Sequence, residues 1–429
     1  MSETYSEREF TANSIRAMVA AGVGVMVSIG PLVVSTFGIL QSAFGKEYGW
    51  SRTSFSLVIL LCAVTGGLVT PFAGRAVDRL GVRRVMLPGV ALFGLAILGV
   101  TLVHGQLWQL YLCYVLVGLT AGVQNMVAYN KLASVWFQRH RGLVLSFLST
   151  CYGIAAAIIP QIVRPLIDHH GWQAGYWFLG AVVLLSLLIL VPWLRLPRDR
   201  IVTSPVTSDP VKQGRDAQTA SGISAKEARN KFIFWLLLLV VVLAVGSLIG
   251  TVAQLFPMLT DRGVSRQNAT TVLSFTAIGG ILGQLSYGYL MDRVRTPKMA
   301  VPFFLCALVG ATILHREAVM SALVPGAVLM GIGQGAELGL AAYLTSRYFG
   351  TRHMGEIYGL VYAGATIAAG VGPVLMARAY DYSGSYRPML LASELALVAV
   401  VMIIMTLPRY VYPVSGQAAS STAATSGES

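Results

Sequence analysis

The sequence predicts an all-α integral membrane protein with twelve transmembrane helices arranged as two six-helix halves. Of the 429 residues, 55% are hydrophobic and only 11% are charged, whereas a soluble globular protein carries about 25% charged residues. The apolar residues form twelve runs, most of them close to the roughly 20 residues that cross a bilayer. A polar stretch separates these runs into two sets of six.

Each apolar run predicts one helix. The runs lie at 16–44, 53–76, 85–103, 107–134, 143–166, 172–194, 232–258, 268–290, 299–314, 319–345, 356–377 and 388–407. The 45 glycines fit packed transmembrane helices, in which small residues let backbones approach closely. The N-terminal MSETYSEREF lacks the basic start and short apolar core of a cleaved signal peptide. We therefore expect the first run to remain in the mature protein.

The polar segments complete the predicted domain organisation. The parts are an N-terminal six-helix half at 1–196, a linker at 197–230, a C-terminal six-helix half at 231–412 and a disordered tail at 413–429. The linker is rich in Pro, Ser, Thr, Lys and Arg. At its end, Ser224 and Glu227 have the spacing of a capping box, which predicts a short helix before the seventh run.

The distribution of basic residues predicts the orientation. With the N-terminus inside, 23 of the 31 Lys and Arg residues fall on the inner side. This bias places both termini and the linker in the cytoplasm of a plasma or inner-membrane protein. It also accounts for the net charge of +13 without nucleic acid, because no aromatic-and-basic recognition module lies outside the runs.

The two halves repeat one another. GRAVDR at Gly74–Arg79 matches GYLMDR at Gly288–Arg293 with an offset of 214 in the numbering. WFQRHRG, which ends at Gly142, matches YFGTRHMG, which ends at Gly355, with an offset of 213. Two parallel six-helix halves related by an axis along the membrane normal are a transporter architecture.

The segment GRAVDRLGVRR, Gly74–Arg84, resembles the loop 2–3 motif of the major facilitator superfamily. The resemblance covers almost the whole chain and implies that superfamily's twelve-helix fold and secondary transport. YGWSRTSFSL and WFQRHRGLVLSF resemble the monocarboxylate-porter and oxalate–formate-antiporter group within it.

At two positions, this sequence lacks a basic residue that is found in that group. Its members commonly carry an arginine in the eighth span, and the oxalate-type porters also carry a lysine in the eleventh. Gln284 and Ala365 stand at these positions. Their neutral side chains argue against an oxalate-like dianion as the substrate.

The loop motif predicts a conformational latch. An aspartate at the cytoplasmic end of the second helix can accept hydrogen bonds from exposed N–H groups at a neighbouring helix start. Such a latch would hold one conformation and break in the other. The alternative is a generic charged loop. The candidate latch residues are Gly74, Asp78, Arg79, Gly81 and Arg83, with Gly288, Asp292 and Arg293 as a weaker copy.

Glu337 is the candidate for proton coupling. It lies in GIGQGAELGLAAYL, ten residues before Arg347, or about 15 Å at helical rise. Placing an ionised residue at such depth costs on the order of 3 kcal/mol, so a carboxyl group there is suited to loading and releasing a proton. The alternative is a glutamate that reaches the membrane edge or pairs with a structural basic residue.

Other polar residues lie in helices that the resemblance places around a central cavity. A polar side chain in an apolar helix should face inward, either to bind substrate or to form hydrogen bonds between helices. The predicted cavity residues are Ser35, Thr36, Gln124, Asn125, Tyr152, Gln254, Gln284, Gln334 and Tyr362.

The remaining polar and sulfur-containing residues predict no further chemistry. Glu394 lies near the outer edge of the twelfth run, and we expect it to be structural. The six histidines fall at loops or ends of runs, and the four cysteines lie far apart, so no metal site or disulfide is expected. No P-loop or hydrolase motif is present. We therefore expect neither an enzyme nor a cofactor.

The sequence predicts a secondary active transporter of a small organic solute. Our first choice is a proton-coupled or exchanging carrier of a monocarboxylate-like organic acid, which the sub-family resemblance implies. The alternatives are an efflux carrier for a neutral or cationic hydrophobic compound and a non-transporting membrane receptor or scaffold. The expected partners are the substrate, protons and the lipid bilayer, and we expect a monomer.

Overall fold

The described part of the chain consists of helices and the turns that connect them. The structure is a computed structural model. It describes residues 11–124, 129, 132, 136–137, 141–194, 223–293, 296–350, 354–408 and 410.

The long helices follow the predicted order, and we number them to match the predicted spans. The first half contains α1 in two parts (Ala12–Met26 and Phe37–Tyr48), α2 (Arg52–Leu80), α3 (Val82–Gly99), α4 (Leu107–Val123), α5 (Arg141–His170) and α6 (Trp172–Trp193). The second half contains α7 (Phe232–Asp261), α8 (Arg266–Arg293), α9 (Val301–Arg316), α10 (Met320–Phe349), α11 (Met354–Ser383) and α12 (Arg387–Thr406).

The described helices confirm a multi-pass membrane architecture. Eleven of them are long and apolar enough to cross a membrane. The remaining element, α4, covers Leu107–Val123 and is apolar but shorter. Much of the rest of its predicted span, 107–134, lies outside the described residues.

Helix ends follow local sequence signals. The Ser51 hydroxyl caps α2 by accepting a hydrogen bond from the Ser54 backbone N–H at 3.1 Å. A short linker helix, Ala225–Arg229, begins at the predicted capping box of Ser224 and Glu227. Gly81 joins α2 to α3 with φ of 85°, a conformation that strongly favours glycine.

The first predicted span is broken in the structure. A π-helical turn, Gly30–Val34, separates the two parts of α1. Pro31 cannot donate a backbone hydrogen bond, and its ring crowds the preceding turn, so an α-helix cannot pass through it undistorted. The hydroxyl groups of Ser35 and Thr36 then bond the carbonyls of Pro31 and Leu32 at 2.5 Å each.

Glycines bring helices of each half into close contact. In the first half, a Cβ at Gly122 of α4 would clash with the Gly66 carbonyl of α2. In the second half, a Cβ at Gly335 of α10 would clash with the Gly280 carbonyl of α8. The second pair of glycines follows the first at the offset that separates the repeated motifs, so the sequence repeat is also a repeat of packing.

The two halves meet through α1 against α7, α2 against α11 and α5 against α8. We refer to the end of the bundle where α6 ends and α7 begins as the linker end. The linker helix lies there, where the Ile223 N–H donates to the Phe349 carbonyl at 3.1 Å. The opposite end, where α2 and α8 begin, is the far end.

Candidate functional site

A cavity of about 120 Å³ lies between the two halves. α1 and α5 of the first half and α7, α8 and α10 of the second half line it. Most of its wall is apolar, so a few polar groups determine what it can bind. The side chains with polar groups are those of Ser35, Ser149, Tyr152, Thr276, Gln284, Gln334 and Glu337.

Glu337 is the buried acid of this cavity. Its side chain is 8% exposed, and it forms no hydrogen bond or ion pair with any residue that the structure describes. Because burial without a counter-charge disfavours the ionised form, this carboxyl group is suited to binding a proton.

Gln284 connects the halves at the cavity wall. Its amide nitrogen on α8 donates a hydrogen bond to the Ser149 hydroxyl on α5 at 2.9 Å. Sequence reasoning did not select Ser149. It lies three residues before Tyr152, on the same helix face, and that spacing could have identified it.

Two predicted cavity residues instead hold helices together. Gln124 is fully buried and donates to the Gly24 carbonyl of α1 at 3.0 Å. Gln254 is also buried and donates to the Ser56 hydroxyl of α2 at 3.0 Å. Neither side chain lines the central cavity.

Two of the other three predicted positions also lie apart from the cavity wall. Thr36 is fully buried and bonds within its own helix. Tyr362 is half exposed and packs near Tyr358, with 5.8 Å between ring centroids. Asn125 lies outside the described residues.

The predicted latch is described only in part. The side chains of Asp78, Arg79 and Asp292, together with Gly74, lie outside the described part. Gly81 makes the turn between α2 and α3, and Arg83 is exposed at the start of α3. In the second copy, Gly288 faces open space and the Arg293 guanidinium lies 4.2 Å from the Tyr289 ring centroid.

A polar cluster around Arg52 joins the halves at the far end. The Arg52 guanidinium on α2 pairs with Asp261 on α7 at 2.7 Å and contacts the Tyr386 hydroxyl. The Asp381 carboxylate on α11 accepts hydrogen bonds from the backbone N–H groups of Arg52 and Thr53 at 3.3 and 2.7 Å.

A second cluster joins the halves on the other side of the far end. Arg266 on α8 pairs with Asp168 on α5 at 2.7 Å. Arg164 on α5 pairs with the same aspartate at 2.8 Å and contacts Gln267 on α8. We refer to the Arg52 and Arg266 clusters together as the far-end gate.

The two clusters of the far-end gate are related by the sequence repeat. Arg52 and Arg266 each follow a serine. The two arginines are separated by the offset of the repeated motifs, and so are Asp168 and Asp381. Each arginine begins a helix of one half and meets an aspartate at the end of a helix from the other half. Sequence reasoning missed the gate, although the Ser-Arg dipeptide at the repeat offset could have revealed it.

Within the described ranges, no group of three His, Cys, Asp or Glu residues is arranged to hold a metal ion. His315 on α9 and Glu394 on α12 do form a pair, with 2.8 Å between Nδ1 and Oε1. The structure therefore gives Glu394 a partner that its position in the sequence did not indicate.

Comparisons with known proteins agree with this arrangement. The family model described as Major Facilitator Superfamily matches residues 23–315 and 248–426. A gallate transporter of Pseudomonas putida is 25% identical over 386 residues, covering 80% of this chain and 84% of that protein. Monocarboxylate transporter 12-B of Danio rerio is 24% identical over 416 residues, covering 89% and 84%.

A solved structure shares the overall fold. The crystal structure of a point mutant of the nucleoside transporter NupG superposes with a TM-score of 0.73 at 10% sequence identity. The match covers 91% of this chain and 99% of that chain. At this identity, the likeness concerns the fold alone.

Proposed function

Because the chain belongs to the major facilitator superfamily, we propose that it is a secondary active transporter that carries a small organic acid together with a proton. The family membership confirms the predicted resemblance, including its monocarboxylate-transporter relatives. The cargo and the coupling are proposals. The observation that carries them is the buried Glu337 in the cavity between the halves, which has no hydrogen bond or ion pair with any described residue.

The cavity can bind a carboxylate only through neutral donors and a protonated acid. The described lining residues include no Lys, Arg or His. An ionised Glu337 would repel a carboxylate, whereas the protonated form can donate a charge-assisted hydrogen bond to it. The proton therefore binds before the substrate, and the two leave together.

The relatives support an organic acid as the cargo. The gallate and monocarboxylate transporters carry names of carboxylate substrates. The position at which the resemblance leads us to expect arginine holds Gln284, which faces the cavity. An amide and a protonated acid can hold one carboxylate group, so a monocarboxylate suits this site better than a dianion.

Uptake into proteoliposomes tests the proposal. We expect an imposed inward proton gradient to drive accumulation of a radiolabelled monocarboxylate, with benzoate and gallate as first probes. Glu337→Gln mimics the protonated acid but cannot release a proton. It should retain substrate exchange and lose accumulation against a gradient.

Glu356→Gln provides a matched control, because Glu356 is an exposed acid at the start of α11. It should accumulate substrate as the unmodified protein does. Accumulation by Glu337→Gln would exclude Glu337 as the coupling residue. Loss of exchange as well would assign it to substrate binding or folding.

One observation favours a second candidate, an efflux carrier for a cationic hydrophobic compound. An ionised Glu337 could bind a cationic group, because the described lining of this apolar cavity includes no Lys, Arg or His. The sign of the pH dependence separates the two candidates. Affinity for an acid should fall as pH rises and Glu337 ionises, whereas affinity for a cation should rise.

A further inference from the structure

A second, larger cavity lies in the second half near the far end. Its volume is about 760 Å³, and the ends of α7 and α9 and the start of α12 line it. It shares no lining residue with the central cavity. We refer to it as the outer pocket.

The two carboxylates of the outer pocket already have partners. Asp261 pairs with Arg52 of the far-end gate at 2.7 Å. Glu394 pairs with Nδ1 of His315 at 2.8 Å. Arg52 offsets the charge of Asp261, so the three arginines that line the pocket outnumber the one remaining carboxylate charge, that of Glu394.

Three arginines line the same pocket with donors to spare. Arg262 donates one guanidinium hydrogen bond to the Leu314 carbonyl at 2.7 Å. Arg316 and Arg387 are exposed, and their guanidinium groups have no hydrogen bond or ion pair with any residue in the described ranges. The pocket thus presents positive charge and unused N–H donors together.

His315 has a buried ring nitrogen at this pocket. Its side chain is 5% exposed, and its Nε2 has no hydrogen-bond partner within the described part of the chain. A buried polar group normally finds a partner, because leaving it unpaired is costly. His315 is among the residues that line the pocket, but its Nδ1 donates to the Glu394 carboxylate, so Nε2 of the neutral ring is an acceptor and takes no part in holding an anion.

We propose that the outer pocket is a second binding site that takes a small oxyanion, an organic carboxylate or a phosphate, held by Arg316 and Arg387. Guanidinium groups bind both oxyanions through paired N–H donors. Met258, Leu390 and Leu391 supply an apolar wall, which favours an anion with an apolar body. The proposal does not depend on what the central cavity transports.

The pocket adjoins the far-end gate. Asp261 and Tyr386 line the pocket and also hold Arg52. Tyr380 lines it as well, and the Arg52 guanidinium lies 3.9 Å from its ring centroid. An anion bound in the pocket therefore touches the residues that keep the halves together.

Protection of an introduced cysteine tests the site. Ser385 is exposed and lines the pocket, so Ser385→Cys places a thiol at its edge. The protein in phosphatidylcholine nanodiscs is treated with an uncharged maleimide while benzoate or inorganic phosphate is titrated. We expect both anions to slow labelling, benzoate at the lower concentration. Labelling of Gln106→Cys, on an exposed loop of the first half, should not change.

Arginine variants show whether the protection comes from this pocket. The double variant Arg316→Gln/Arg387→Gln should raise the half-protective concentration at least tenfold. Arg378→Gln removes one exposed arginine near the far end of α11 that does not line the pocket, and it should have no effect. If the double variant misfolds, Arg387→Lys keeps the charge but removes the paired donors, so it should still raise the half-protective concentration by about threefold.

The lipid composition distinguishes the two sources of phosphate. If a lipid headgroup occupies the pocket, nanodiscs with phosphatidylglycerol should slow labelling without added anion, and the double variant should abolish that effect. This result would support the oxyanion site and assign its ligand to the membrane. Absence of protection by benzoate, phosphate and phosphatidylglycerol would overturn the proposal. Equal protection in the double variant would also overturn it.

Discussion

At the residue scale, one position distinguishes the two halves. Gln124 and Glu337 are related by the repeat offset, and Gln124 directly follows the end of α4 whereas Glu337 lies within α10. Gln124 fastens α4 to the backbone of α1. Glu337 has no such partner within the described residues and faces the cavity instead. The repeat therefore has a structural amide in one half and an ionisable acid in the other.

Gln284→Arg tests the type of substrate. A charge-assisted hydrogen bond is roughly twice as strong as a neutral one, so a carboxylate substrate should bind at least several-fold more tightly and leave more slowly. Equilibrium binding and the transport rate measure both effects. A cationic substrate should lose binding and transport, and unchanged transport would show that residue 284 does not face the substrate.

Asp78→Asn tests the proposed latch. The substitution keeps the shape of the side chain but removes its charge, which weakens hydrogen bonds to a helix start. We expect normal expression with a roughly tenfold or greater loss of transport. A transport rate equal to that of the unmodified protein would contradict the latch. Asp209→Asn in the predicted linker is the matched control and should transport normally.

The sequence identifies which residues are polar within apolar helices but not which partner each one finds. The requirement that polar groups face inward selects Gln284 and Glu337, which line the cavity, and equally Gln124 and Gln254, which do not. The difference depends on which neighbouring backbone or hydroxyl group lies within reach. That proximity arises from packing between distant segments of the chain.

At the element scale, α8 and α10 form one closely packed pair. Gly280 and Gly335 bring their backbones together immediately beside Gln284 and Glu337. Because this contact joins the two helices that bear Gln284 and Glu337, we expect these two side chains to move together when the halves rock. The sequence predicted these helices, but not the break in α1, where Gly30 and Pro31 interrupt an otherwise apolar run.

Gly335→Ala tests the importance of this helix contact. The added methyl group would clash with the Gly280 carbonyl and the Gln284 nitrogen, both of them backbone atoms. Overpacking of this kind costs about 1–3 kcal/mol, so the melting temperature should fall by several degrees. Gly359→Ala on α11 is the matched control, because a Cβ there would meet nothing within 4 Å. Equal melting temperatures for the two variants would contradict the proposed role of the contact.

At the scale of the whole molecule, the far-end gate connects two similar halves. Each half contributes an arginine at a helix start and an aspartate at a helix end. A structure joined at the far end agrees with alternating access, in which the halves separate at one end while they meet at the other. The described end of the linker, which carries Lys226 and Arg229, lies at the other end of the bundle.

The orientation predicted from the basic residues places the far end outside the cell. Ser208→Cys in the linker should not react with a membrane-impermeant maleimide added to intact cells. Gln106→Cys, exposed between α3 and α4, should react readily. The reverse pattern would invert the proposed orientation.

Removing both gate arginines should favour the state that is open at the far end. A partly exposed ion pair contributes about 0.2–1 kcal/mol, so Arg52→Gln/Arg266→Gln should shift the equilibrium by several-fold. Labelling of Ser35→Cys in the central cavity from outside should accelerate accordingly. Arg378→Gln, which removes an exposed arginine outside the gate, should leave the rate unchanged. An unchanged rate in the double variant would show that other contacts keep the far end closed.

The exposure of the gate pairs has a consequence for the environment of the protein. The side chains of Arg52 and Asp261 are 21% and 33% exposed, and those of Arg266 and Asp168 are 39% and 24% exposed. Dissolved ions reach charges that are open to water and screen them within about 10 Å at 0.1 M salt. A saline medium on the far side should weaken both pairs at once, whereas fresh water should strengthen them. The resting balance between the two conformations would then follow the salinity of the surroundings, even when no substrate is present.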